Sequence, residues 1–239
     1  MNNKQQNINN MQFNEKKQGI IAGISLVIMA ISAGFAFGFA HNKLVTDSAE
    51  NTLQNLISGK SLFYSELAGW SIIFITDLIV AISLYYFFHS ISRTISLLTA
   101  CIRIVYTLFL GIAIVQLFKI VPLLSIQNPD ISELVYYLHR FEKRWSVGLI
   151  IFGLHLVGLG YLSVKSKTVP RLLGYLLYFG GFGYTLLHGA RQLNLFGEPV
   201  LESAENILAM PMALSEILFA FWLIYNGLRK STSKMNTDK

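Results

Sequence analysis

The chain has 239 residues, of which 53% are hydrophobic and only 13% charged, with a mean hydropathy of +0.51. Soluble domains carry about 25% charged residues, so the composition excludes an ordinary water-soluble globule and a disordered chain. The pI near 9.4 does not signal a nucleic-acid partner, because the basic residues stand in short clusters between long apolar runs, the pattern of a multipass membrane protein.

The first eighteen residues, MNNKQQNINNMQFNEKKQ, are rich in Asn and Gln and too polar to pack, and they read as a disordered tail. Six stretches then approach or exceed the about 20 apolar residues that cross a hydrocarbon core of about 30 Å. They are residues 19–40, 70–88, 95–118, 146–164, 172–190 and 208–227. The first is longer than a signal-peptide core of about 7–15 residues and reads as a retained span. Residues 230–239 form a basic polar tail. The predicted fold is all-α: a polytopic bundle of six transmembrane helices over 19–229, between two tails.

Two connections are long enough to hold structure. In residues 47–59, Asp47 is a candidate N-cap with Glu50 three residues on, and Leu53, Leu56 and Ile57 share a face. In residues 130–144, Leu134, Val135, Leu138 and Phe141 share a face. Both read as short amphipathic helices in the outer loops. Orientation follows from Lys and Arg in the loops. Six spans put Lys4, Lys16, Lys17, Arg93, Lys165, Lys167, Arg171, Arg229, Lys230, Lys234 and Lys239 on one side. The other side holds Lys43, Lys60, Lys119, Arg140, Lys143, Arg144 and Arg191, so both termini are expected in the cytoplasm.

Within the spans, Gly19 and Gly23, and Gly34 and Gly38, are spaced for close helix contact. Gly180, Gly181 and Gly183 smooth the fifth span, and Pro211 sits where a first helical turn tolerates it. Trp70, Trp145, Tyr136 and Tyr137 suit an interfacial belt. The lone Cys101 excludes an intramolecular disulfide and reads as a small hydrophobe.

The exceptions to apolarity are the candidate site. Asp77, Arg103 and Glu216 are the formal charges inside the spans, and His155 lies in the middle of the fourth. A charge at a helix centre costs about 2.5–3.5 kcal/mol on insertion scales. At a rise of about 1.5 Å per residue, all four lie roughly 10–14 Å deep, in one layer. The economical arrangement has them meeting inside the bundle with Arg103 between the two carboxylates. With His155 neutral the group sums to minus one, so a proton shared in the cluster would restore neutrality. A packing-only charge network is the alternative. A zinc site from Asp77, His155 and Glu216 is conceivable on ligand type alone, but no HExxH or HxxxH pair is present, and no cofactor or catalytic residue is assigned.

The run Phe152-Gly153-Leu154-His155-Leu156, continuing through Gly160-Tyr161-Leu162 to Val169-Pro170-Arg171-Leu172-Leu173-Gly174, resembles the centre of a bacterial multipass family. That family is the domain of unknown function numbered 4386. The resemblance extends over roughly residues 19–229 and takes in Asp77, Arg103, Met210-Pro211, Ser215-Glu216 and Trp222. The charge cluster from Arg140 to Arg144 departs from it. It implies a six-helix protein of the bacterial cytoplasmic membrane and no particular activity.

Three functions fit. The first is a transporter or sensor that binds a small molecule, lipid, ion or proton at the mid-membrane cluster. Against it, no repeat relates the first three spans to the last three. The second is an intramembrane enzyme acting on a lipid-like substrate, with His155 and a carboxylate as acid and base. No spacing places a Ser or Cys nucleophile beside a base, so the balance leans away from an enzyme. The third is a structural or accessory subunit. The expected partners are the lipid bilayer, a small-molecule or lipid ligand, and a second copy of the chain.

Overall fold

The computed structural model describes residues 3–126 and 129–229, and they are helical apart from short connections. The predicted tail over 230–239 lies outside the described residues. Helix α1 (Asn3–Ala33) runs into a π-helical segment (Gly34–His41) and one further turn, α2 (Asn42–Leu44). There follow α3 (Ala49–Ser58), α4 (Lys60–Phe88), α5 (Arg93–Leu123), α6 (Ile131–Lys165), α7 (Arg171–Gln192) and α8 (Glu198–Leu228). The helix therefore reaches back through most of the segment expected to be a disordered tail. That segment contains no Gly or Pro before Gly19, and extending an existing helix avoids the cost of nucleation.

Among the described residues, five helical stretches are long and apolar enough to cross a membrane: Asn14–Leu44, Lys60–Phe88, Arg93–Leu123, Ile131–Lys165 and Glu198–Leu228. The predicted fifth span is a further long helix, α7, but its glycines, tyrosines and His188 leave it outside that set. The outward faces are apolar: Ile31, Leu108, Leu172, Leu186 and Phe221 are exposed, while Asp77, Arg103 and His155 are fully buried. This inside-out distribution suits a lipid solvent.

The loop helices differ from expectation. α3 exists, but Ser48, not Asp47, caps it by accepting from the Asn51 N–H at 3.2 Å. Its buried face is Thr52, Leu53 and Leu56, with Ile57 exposed. The second expected loop helix is the first part of α6. Asp130 caps it by accepting from Ser132 N–H, and no Gly or Pro interrupts the chain before Gly148, so helix and span are continuous. Likewise α8 begins at Glu198, with Pro199 in its first turn, which puts Pro211 in the helix interior rather than near its start. α7 ends at Gln192, and Asn194 just beyond it has a left-handed φ of 51°; Leu195 N–H bonds to Ala190 C=O and Asn194 N–H to Arg191 C=O, closing the helix end.

The six long helices form a closed ring in chain order: α1 packs on α4, then α4 on α5, α5 on α6, α6 on α7, α7 on α8, and α8 back on α1. Glycines set two of the closest contacts. A Cβ on Gly23 would lie 2.7 Å from the Ala220 carbonyl of α8, and one on Gly181 would lie 2.7 Å from the Gly153 carbonyl of α6. Gly34 and Gly38, by contrast, face open space. Gly181→Val is therefore expected to cost about 1–3 kcal/mol by overpacking, and Gly38→Ala to stay within about 0.5 kcal/mol of wild type, as read from thermal unfolding in mild detergent.

Candidate functional site

Five of the six ring helices send a side chain to one point in the interior. Arg103 of α5 is fully buried, and each of its three guanidinium nitrogens meets an acceptor. Nε donates to Asp77 Oδ1 of α4 at 2.9 Å, and Nη2 lies 2.6 Å from the same oxygen. Nη1 donates to Glu216 Oε1 of α8 at 2.9 Å and to His155 Nε2 of α6 at 3.0 Å. Nη2 also reaches Met29 Sδ of α1 at 3.4 Å. Phe152 covers the guanidinium, with its ring centre 5.5 Å from Cζ. The four residues predicted from sequence are thus brought together, with Arg103 between the carboxylates.

The hydrogen bonds fix the state of His155. Its Nδ1 lies 3.0 Å from the Thr99 carbonyl, which can only accept, so Nδ1 carries the proton. Its Nε2 faces an arginine N–H, which can only donate. The ring is therefore the neutral Nδ1–H tautomer. One arginine against two carboxylates then leaves a formal charge of minus one. Asp77 places both contacts from Arg103 on Oδ1; its Oδ2 is buried and has no hydrogen-bond partner among the described residues.

Space around the cluster is limited. A void of about 10 Å³, lined by Thr99, His155, Leu159 and neighbouring side chains of α4 and α5, adjoins it, close to the least that holds one water. A cleft of about 550 Å³ lies elsewhere, open to the surface between the π-helical segment, α3 and α4. The guanidinium fills the space between Asp77, His155 and Glu216. No group of three His, Cys, Asp or Glu among the described residues is placed to hold a metal ion.

Residues 21–227 match the family described as Domain of unknown function (DUF4386). The chain belongs to this family. A relative from Archaeoglobus fulgidus, described as an uncharacterized protein, is 31% identical over 178 residues, covering 74% of this chain and 91% of the relative. No solved structure matches.

Three polar contacts escaped the sequence. Met29 gave no signal, because a thioether in an apolar run looks like any other hydrophobe. Glu66 and His41 stand near the ends of apolar runs and read as loop or boundary residues, yet both are buried. Ser146 Oγ lies 3.0 Å from His188 Nδ1, and Gln192 Nε2 donates to the same Oγ at 3.3 Å. No spacing along one helix reveals a pair that is made between α6 and α7.

Removing one partner of a buried ion network strands the others, at a cost of about 3–5 kcal/mol, whereas replacing the whole network by apolar side chains of similar volume costs far less. Arg103→Met alone is expected to lower the unfolding free energy in detergent by that amount, read as a fall in the melting temperature. The triple variant Arg103→Met, Asp77→Leu, Glu216→Met should recover most of the loss.

Proposed function

We propose that the chain is a multipass protein of the cell membrane, with six spans and both termini in the cytoplasm, that binds a proton at the mid-membrane cluster as part of a transport or sensing function. The count of six draws support from the chain ends. Lys16 Nζ, near the start of the first apolar span, donates to the carbonyl of Arg229 at 3.1 Å, just past the end of α8. An odd number of crossings would separate these residues by the membrane thickness, so α7 is counted as a span.

The observation that carries the proton reading is Asp77 Oδ2. An ionised oxygen buried without a donor is expensive, and a net charge at this depth more so. One proton on Asp77 removes the net charge, and a neutral hydroxyl without a partner costs less to bury than an ionised oxygen. His155 is not the carrier, because both its nitrogens are already committed in the neutral form. A proton also fits the space available, which a lipid or metabolite would not without rearrangement. In wild-type protein in lipid nanodiscs, infrared titration should show a protonated-carboxyl band that shifts in D2O and disappears in Asp77→Asn. Identical spectra for wild type and Asp77→Asn would sink the proposal.

One observation favours a second reading, an enzyme acting on a lipid-like ester. The Ser146–His188 pair has nucleophile and base within hydrogen-bond reach, and Gln192 offers a donor beside Oγ. Under this reading a fluorophosphonate probe labels Ser146 in wild type and fails to label His188→Ala. No labelling of the wild type rejects it.

A further inference from the structure

A second polar group stands where the π-helical segment, α4 and α6 meet. His41 ends the π-helical segment, Glu66 lies on α4, and Glu142 on α6. His41 and Glu66 are 3% and 1% exposed. His41 Nδ1 lies 2.7 Å from Glu66 Oε1, and its Nε2 lies 3.5 Å from Glu142 Oε1. Trp70 Nε1 donates to the same Glu66 oxygen at 3.3 Å. The other oxygen of Glu142 is 3.6 Å from Nδ1 of His139, whose side chain is 76% exposed. The four titratable groups thus form a line from the surface to the interior.

Aromatic rings fill the space around that line. Phe37 stacks on His41 at 5.6 Å, and Phe141 stands 5.5 Å from it. Trp70 packs edge-on against Phe141 and Trp145, at 5.0 Å each, and Phe37 against Trp145 at 4.6 Å. These rings close this end of the bundle with apolar surface, and the carboxylates and imidazole are the polar groups that pass between them. The π-helical geometry is what brings His41 here. In an α-helix of 3.6 residues per turn, residue 41 would point well away from residue 36. The i to i+5 repeat of a π-helix stacks one above the other, and Ala36, Ala40 and His41 are all buried.

We propose that His41, Glu66 and Glu142 form a second proton-binding site, which passes protons from the surface through the aromatic seal toward Asp77. The passage toward Asp77 rests on the proton reading of the mid-membrane cluster; the second site itself does not. Glu66 and Asp77 share α4 and lie about 16 Å apart along it at about 1.5 Å per residue. A proton held on Glu142 transfers to Nε2 of a neutral Nδ1–H ring. Nδ1 then releases its own proton to Glu66 Oε1, which leaves the ring as the neutral Nε2–H tautomer. One proton enters and one leaves, with no other reactant. The groups facing His41 are Glu66 from α4 and Glu142 from α6; α3 presents Thr52, Leu53 and Leu56 as its buried residues.

The test follows deuterium exchange of the Asp77 carboxyl band by time-resolved infrared in nanodiscs. His41→Gln and Glu142→Gln should keep the band and slow its exchange at least tenfold. Glu142 is half-exposed, so Glu142→Gln reports even where His41→Gln does not fold. Exchange at the wild-type rate in Glu142→Gln overturns the passage. Absence of the band in wild type would instead remove the mid-membrane reading. Nitrogen-15 NMR of His41 then decides the second site alone: a ring that gains a proton as pH falls, with a response altered by Glu142→Gln, supports it, and a ring that never changes state overturns it.

Discussion

A guanidinium that cannot reach water dictates the architecture of this protein. Arg103 is fully buried on a helix whose outward face is apolar, so every acceptor it uses must come from neighbouring helices. It draws them from α1, α4, α6 and α8. In lipid, apolar side chains give little net drive for one helix to choose another, and small residues and polar contacts set the partners. Arg103 therefore fixes the depth of four helices relative to α5. Sliding any one of them by a turn would carry its acceptor about 5 Å away.

The helix that supplies no acceptor to Arg103 acts through its lack of side chains. On α7, a Cβ at Gly180 would lie 2.6 Å from Ser215 Oγ, and one at Gly181 would meet the α6 backbone. The glycines let α8 approach closely enough, next to Ser215, for Glu216 to reach Arg103. The same absence of bulk lowers the hydropathy of α7, so its role in packing and its weak membrane signal have one cause.

Two histidines on this scaffold show how neighbours decide chemistry. His155 stands between a carbonyl and an arginine and is held neutral. His41 stands between two carboxylate oxygens, which both accept, so its imidazolium form satisfies both. The polar groups are layered, about three turns of α4 apart, with aromatic rings around the layer at the α3 end. That spacing separates two polar groups, one near the surface and one in the middle of the bundle.

Much of this was legible in the sequence. The apolar runs gave the long helices, because a lipid solvent demands continuous apolar stretches. Asp77, Arg103, His155 and Glu216 stood out because charge in such a run has a cost that needs a reason. Boundaries were less legible: helices α4, α6 and α8 extend well beyond their apolar cores, since nothing in the flanking residues stops a helix once started. The tertiary structure alone decided which oxygen of Asp77 is left without a donor, which nitrogen of His155 carries the proton, and that Met29 completes the shell. It alone made the His41 group, because a π-helical turn rotates one side chain onto partners from two distant helices. Composition determines the solvent and the candidates; the pairings belong to helix register and rotation, which distant residues set together.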